Sequence, residues 1–404
     1  MKVLMINSVC GIGSTGRICA DLASALDKQG NSCLIAYGRN GYVPQEYRKY
    51  AVRIGSDFDV RRHAMLTRIT DRHGFYSKRS TQNFIDRIRD YNPDIIHLHN
   101  IHGYYINIEY LFNYLRELCK PVIWTLHDCW SFTGHCAHYD YIKCDKWKNG
   151  CSKCSQKTRY PQSLICDNSK NNWIKKKNLF NSISNLLIVT PSQWLADEAA
   201  KSYLGHYDIR VVNNGIDLSV FHPTNSNFRE KYGLKDKTIL LGVSSVWDER
   251  KGFNDFINLS KILPSKYKIV LVGVSSAQIQ KIPKEILAIE HTESQKQLAE
   301  IYSASDVFLN LTYEDTFPTV NLEALACGTP VVSYNSGGSA EIIRKFGGGI
   351  VLDSKTPEAV KENIGRATAI KPEDCLKHTC KFDSLIAQEK YLKIYTDLYK
   401  KYIG

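Results

Sequence analysis

No stretch of this chain approaches the roughly 20 consecutive apolar residues that a membrane-spanning helix needs, so the sequence holds no candidate span. The apolar run after Met1-Lys2 is too short for a secretory core. It leads straight into Gly11-Ile-Gly-Ser-Thr-Gly16, which is no cleavage site. No Gly-Lys-Ser/Thr follows those glycines, which excludes a Walker nucleotide loop. No RNA- or DNA-binding motif, short repeat or low-complexity tract is present, and nucleic acid is not an expected partner. A disulfide scaffold is also disfavoured. The thirteen cysteines are odd in number and sit in a long chain without an export signal, so reduced thiols and a cytoplasmic location are expected.

What is present is ordinary globular composition, 43% hydrophobic and 23% charged. With 404 residues the chain is too long for one core and long enough for two domains. The net charge of +12 favours anionic partners such as nucleotide phosphates or anionic lipid headgroups. The basic clusters Arg61-Arg62, Lys175-Lys176-Lys177 and Lys400-Lys401 are short and read as solvated faces.

Apolar runs alternate with helical stretches. Strands are expected at Val3–Val9, Ser32–Tyr37, Ile95–Leu98, Val122–Leu126 and Leu186–Thr190. A turn at Gly11–Gly16 and a helix at Arg17–Gln29 follow the first of them. Turn residues after Val211 break the pattern. It resumes with strands at Thr238–Val243, Lys268–Val272, Asp306–Leu311 and Pro330–Tyr334, with a final helix at Ile386–Tyr402. This predicts an α/β protein of two doubly wound parallel units, 1–215 and 216–384, followed by a helix at 385–404 expected to pack back on the first. Ligands of such folds bind beyond the strand C-terminal ends, here expected in a cleft between the two units.

The densest chemistry lies in Tyr313-Glu-Asp-Thr-Phe-Pro-Thr-Val-Asn-Leu-Glu-Ala-Leu-Ala-Cys-Gly-Thr-Pro330. Asp315 is in a loop and Glu323 on the helix after it. Pro318 can start that helix and Gly328 can end it. Acids beside a helix N-terminus suit a sugar nucleotide, or else simply offset the helix dipole. Arg250 and Lys251 follow a strand, where they could neutralise a diphosphate. Gly11, Gly13 and Gly16 let backbone approach an anion, or make a tight turn. Ser336-Gly-Gly-Ser-Ala-Glu341 is a further glycine turn into a helix.

Together these runs, with Asp94-Ile-Ile-His-Leu-His-Asn-Ile-His-Gly103 and Thr125-Leu-His-Asp-Cys-Trp-Ser-Phe-Thr-Gly134, resemble the retaining GT-B glycosyltransferases of family 4, in the branch of colanic-acid and O-antigen polysaccharide enzymes. The resemblance spans nearly the whole chain. It implies a nucleotide-sugar donor, a lipid-linked saccharide acceptor and work at the inner face of the plasma membrane, against its anionic surface. It places Glu323 on the ribose, Asp315 and His127 by the transferred sugar, Arg250 and Lys251 on the diphosphate, and Gly16 where backbone meets it. Phe317 and Thr319 complete the donor set. No cofactor is required for catalysis, because basic side chains can stabilise the leaving group. Three positions depart from the family pattern: Asp315 replaces a Glu, with Glu314 beside it; Pro318 replaces a Gly; and Val246 replaces an Arg. They motivate a catalytically degenerate glycan-binding scaffold as a rival reading; a nucleotide-sugar epimerase is another, because it shares the two-domain architecture.

His97, His99 and His102 crowd one strand end and are read as cleft lining or as structural. Tyr104 and Tyr105 could stack on a sugar or pack. Cys136, Cys144, Cys151 and Cys154 could hold a structural zinc in a loop at 129–160, or remain free thiols. Asp57-Phe-Asp59 resembles the metal-binding pair of the other glycosyltransferase fold, but lies outside a matching context.

Overall fold

The computed structural model describes residues 1–402. The chain forms two compact units. One comprises Met1–Val212 with the chain from Gln388 onward, and the other Asn213–Ala387.

The first unit is built on a seven-stranded sheet of β1 (Lys2–Asn7), β2 (Ser32–Tyr37), β3 (Ala51–Arg53), β4 (Ile95–Leu98), β5 (Val122–Thr125), β6 (Leu186–Thr190) and β7 (Asp208–Val211). The order is β3-β2-β1-β4-β5-β6-β7, and every neighbouring pair is parallel. The second unit has a six-stranded sheet of β8 (Thr238–Val243), β9 (Tyr267–Val272), β10 (Ile286–Ile289), β11 (Val307–Asn310), β12 (Val331–Tyr334) and β13 (Gly349–Leu352). Its order is β10-β9-β8-β11-β12-β13, again all parallel.

Central strands such as β4, β5, β6 and β11 are buried at every residue. Helices on both faces demand an unbroken apolar run there, which is why these strands are plain in the sequence. The four strands the sequence reading did not predict are β3, β7, β10 and β13, the four sheet edges. Their side chains are only partly covered; charged residues interrupt β3 and β7, while β10 and β13 are apolar but only four residues long.

In both sheets the chain winds outward from the middle, first one way and then the other. The switch falls between β1 and β4 in the first unit and between β8 and β11 in the second. Loops leaving neighbouring strands in opposite directions open a crevice at their C-terminal ends.

Two local expectations are corrected. The first helix spans Gly13–Lys28 rather than starting at Arg17, so Gly16 lies within its first turn. The Lys175-Lys176-Lys177 cluster is not a uniformly solvated face, because Lys176 is 1% exposed. On the helix Ser169–Phe180, Lys176 shares the buried side with Trp173 and Phe180. Its ammonium donates to the carbonyls of Trp130 and Thr133 and stands 3.7 Å from the Trp130 ring centroid.

From Gln388 onward the helix Ser384–Tyr402 belongs to the first unit. Tyr391, Ile394 and Tyr395 form its buried stripe. The Tyr395 hydroxyl lies 2.6 Å from Nδ1 of His97, whose Nε2 lies 2.7 Å from the Thr125 hydroxyl. The Tyr391 hydroxyl is 3.1 Å from the same threonine.

Candidate active site

In the second unit the loops after β8, β11 and β12 nest on one another. The β8 loop ends in a short turn capped by Asp248, whose side chain accepts from the Lys251 amide at 2.9 Å. Tyr313 of the β11 loop donates its amide to the Arg250 carbonyl at 2.8 Å. Gly338, after β12, donates its amide to the Asp315 carbonyl at 2.9 Å. A Cβ on Gly338 would fall 1.8 Å from the Thr316 carbonyl oxygen, and one on Gly252 2.3 Å from that of Leu311. Glycine is therefore required for the loops to approach this closely.

This nesting brings together residues distant in sequence. Lys251 Nζ donates to Asp315 Oδ2 at 2.5 Å, both side chains about one-fifth exposed. Arg250 donates to the Glu314 carbonyl at 3.4 Å. Glu314 itself is buried, so Asp315 rather than its neighbour meets the lysine. Val246 is 65% exposed, and the cations near Asp315 come from Arg250 and Lys251.

The helix after Asp315 spans Thr319–Ala326, with Pro318 at its N-cap, and Gly328 follows its end at φ +80°. Phe317 is buried, and its amide donates to Asp315 Oδ1 at 3.3 Å. Thr319 is half-buried in the first turn. Glu323 is one turn further on and accepts from the Tyr302 hydroxyl at 3.0 Å. Tyr302 fixes the carboxylate but was not singled out in the sequence, where it reads as one more apolar helix position.

In the first unit Gly16 is buried, and an added Cβ would come 3.0 Å from Val9 Cγ2. Its carbonyl accepts from the Gly11 amide at 3.0 Å. Close packing of the helix's first turn on the loop after β1 is thus a sufficient reason for this glycine.

His127, just after β5, is half-buried, with Nε2 3.0 Å from His99 Nδ1 and the two rings stacked. Burial pushes His127 down to about 4 and His97 to about 3. His97 and Tyr105 are core residues. His102 Nε2 lies 2.8 Å from Asp128 Oδ2, and the Tyr160 hydroxyl lies 2.9 Å from His102 Nδ1. Burial opposes the Asp128 charge, but the adjacent His102, together with His138 and the Trp130 amide, holds the carboxyl down to about 2. Asp128 was not singled out from the sequence, although it follows His127 directly.

Cys136, Cys144, Cys151 and Cys154 all line one cavity of about 20 Å³ beside His135. Cys151 Sγ accepts from the Gly134 amide at 3.1 Å. Among the described residues, no three His, Cys, Asp or Glu side chains are grouped as a metal site.

Two all-parallel, doubly wound units, with cations and acids on nested loops at a switch point, define a GT-B glycosyltransferase. The solved sucrose-phosphate synthase of Thermosynechococcus elongatus shares this fold. It superposes with a TM-score of 0.71, covering 99% of both chains at 16% identity.

The chain belongs to the family-4 glycosyltransferases. Residues 15–220 match Glycosyltransferase Family 4 and residues 224–375 match Glycosyl transferases group 1. WcaC of Escherichia coli (strain K12), assigned as a colanic acid biosynthesis glycosyl transferase, is 25% identical over 374 residues, which are 89% of this chain and 90% of WcaC. The N,N'-diacetylbacillosaminyl-diphospho-undecaprenol alpha-1,3-N-acetylgalactosaminyltransferase of Campylobacter jejuni subsp. jejuni serotype O:2 is 24% identical over 202 residues, 46% of this chain and 53% of that protein.

Proposed function

We propose that this glycosyltransferase moves a sugar from a nucleotide donor to a lipid-linked saccharide, with retention of anomeric configuration, in bacterial surface polysaccharide assembly. The observation that carries the reading is the nested loop set of the second unit. It brings Arg250, Lys251 and Asp315 together and sets Glu323 on the helix that follows. In this reading Arg250 and Lys251 receive the diphosphate, Glu323 the ribose hydroxyls and Asp315 the sugar, with Phe317 and Thr319 shaping the donor pocket. Gly16 and His127, in the first unit, keep the roles that the family resemblance implies.

Departure of the diphosphate leaves positive charge on the sugar and negative charge on phosphate. Fixed cations stabilise the latter without a metal. The C1–phosphate oxygen bond breaks as the acceptor oxygen bonds C1 on the same face, and the leaving phosphate takes the acceptor proton. The undecaprenol-linked acceptor in the name of the Campylobacter relative supports the lipid-linked substrate. Work at the inner face of the plasma membrane follows from that acceptor. Among the described residues, no helix is long and apolar enough to cross a membrane.

A structural zinc is a separate part of the proposal. Four thiols on one small cavity support it, and binding requires them to close on the ion.

The test is transfer from a panel of nucleotide sugars to lipid-linked saccharides by the full chain. Glu323→Ala should lower kcat/KM roughly 10–100-fold, the worth of a charged hydrogen bond. Wild-type rates in that variant would remove the donor-site assignment. An inverted product would overturn retention, and epimer formed from donor alone would overturn the transfer reading.

A further inference from the structure

The helix Asp57–Thr70 has an unusual outward face. Phe58, Arg61, Arg62, Met65, Arg68 and Ile69 are all exposed and fall at helical spacing on one side. Phe58 is 72% exposed and Met65 55%. The helix's two acids lie in its first turn and are engaged there. Asp57 pairs with Arg53, and Asp59 closes a capping box with Ser56. The rest of the face is therefore apolar and cationic.

The chain extends this surface. The Leu164 amide donates to the Arg68 carbonyl at 2.7 Å and the Cys166 amide to that of Ile69 at 3.1 Å. Leu164 and Ile165, 58% and 66% exposed, are thereby fixed beside Ile69. Arg72, just past the helix, lines a shallow depression of about 380 Å³ with Asn171, Ile174 and Lys175. Arg72 and Arg62 also line a second hollow of about 360 Å³ with Lys78 and Arg79. The nearby acid Asp167 is committed to Ser169 and the Cys154 amide.

Exposed apolar side chains interleaved with cations suit one occupant in particular: the anionic headgroup and upper acyl region of a bilayer. A nucleic-acid surface would have no use for Phe58, Leu164 and Ile165 in water. We propose that this face of the first unit docks on anionic membrane. The inference rests on the lipid-linked acceptor proposed above, and it names the surface that meets the lipid.

The test is partitioning of the full chain onto vesicles of phosphatidylcholine with phosphatidylglycerol, against phosphatidylcholine alone. The wild-type protein should favour the anionic vesicles. Arg61→Glu with Arg68→Glu should lower partitioning at least roughly tenfold. Leu164→Asp with Ile165→Asp should weaken it similarly by removing apolar insertion. All four positions are exposed, and unchanged thermal unfolding shows that the fold is kept. Lys281→Glu with Lys284→Glu, in the other unit, should leave partitioning unchanged. Wild-type binding retained in both face variants overturns this face and leaves the membrane reading standing. Absence of wild-type binding to anionic vesicles overturns both. Equal loss in the Lys281/Lys284 variant shows that only net charge matters and also overturns the face.

Discussion

Gly338→Ala is the sharpest perturbation of the donor loops. An ideal Cβ at this position lies 1.8 Å from the Thr316 carbonyl oxygen, where real Cβ contacts stay beyond 3.0 Å. The β11 loop or the helix start Gly337–Phe346 must therefore move by more than an ångström. The obstacle is backbone, so no side-chain rotamer relieves it. The movement also strains the bond from the Gly338 amide to the Asp315 carbonyl, which holds the loop that presents Asp315 to Lys251. Overpacking of this kind costs about 1–3 kcal/mol. A misplacement of about 1 Å at reacting groups costs roughly 100-fold in rate. The expected result is a two-decade loss of transfer with a modest fall in the second unit's melting temperature. Gly365→Ala is the control, because nothing lies within 4 Å of its Cβ in the helix Pro357–Thr368. It should stabilise by about 0.5–1 kcal/mol and leave transfer intact. Wild-type transfer and stability in Gly338→Ala would refute the claim that close loop nesting builds the site.

Lys251→Ala should weaken binding of nucleoside diphosphates roughly 10–100-fold by calorimetry, the worth of a charge-assisted phosphate bond. Asp315→Asn should tighten the same binding by releasing Lys251, while lowering transfer; unchanged affinity in Lys251→Ala refutes the diphosphate role. Burial holds His63 and His97 down to about 3, against an ordinary 6.5. The unfolded chain therefore takes up protons first, and the first unit loses stability as pH falls below 6.5, by about 2 kcal/mol per histidine at pH 5. A first-unit melting temperature that is flat from pH 7.5 to 5 refutes this. Elemental analysis of metal-replete protein should find one zinc per chain, lost in Cys151→Ser with Cys154→Ser; a substoichiometric content in the wild type refutes the zinc site.

Much of the fold was legible because doubly buried strands must be apolar throughout. β1, β2, β4, β5, β6, β8, β9, β11 and β12 stand out for that reason. The edges β3, β7, β10 and β13 do not, since an edge strand is covered on one side only: β3 and β7 carry charged residues, and β10 and β13 are apolar runs of just four residues. Lys176 shows the converse. Its two lysine neighbours suggested a solvated cluster, and only the buried side of its helix shows that one of the three points at Trp130.

The sequence by itself determined two parallel α/β units, the helix framed by Pro318 and Gly328, and the residue types needed for a sugar nucleotide. These follow from local patterning and from the spacing of a single segment. Tertiary structure decided which residues meet. Lys251 reaches Asp315 across 64 residues because strands adjacent at the β8/β11 switch bring their loops together, and Tyr302 holds Glu323 across 21 because the helices before and after β11 pack on each other. It likewise set Leu164 and Ile165 beside the arginine-rich helix, through backbone bonds that no side-chain pattern announces.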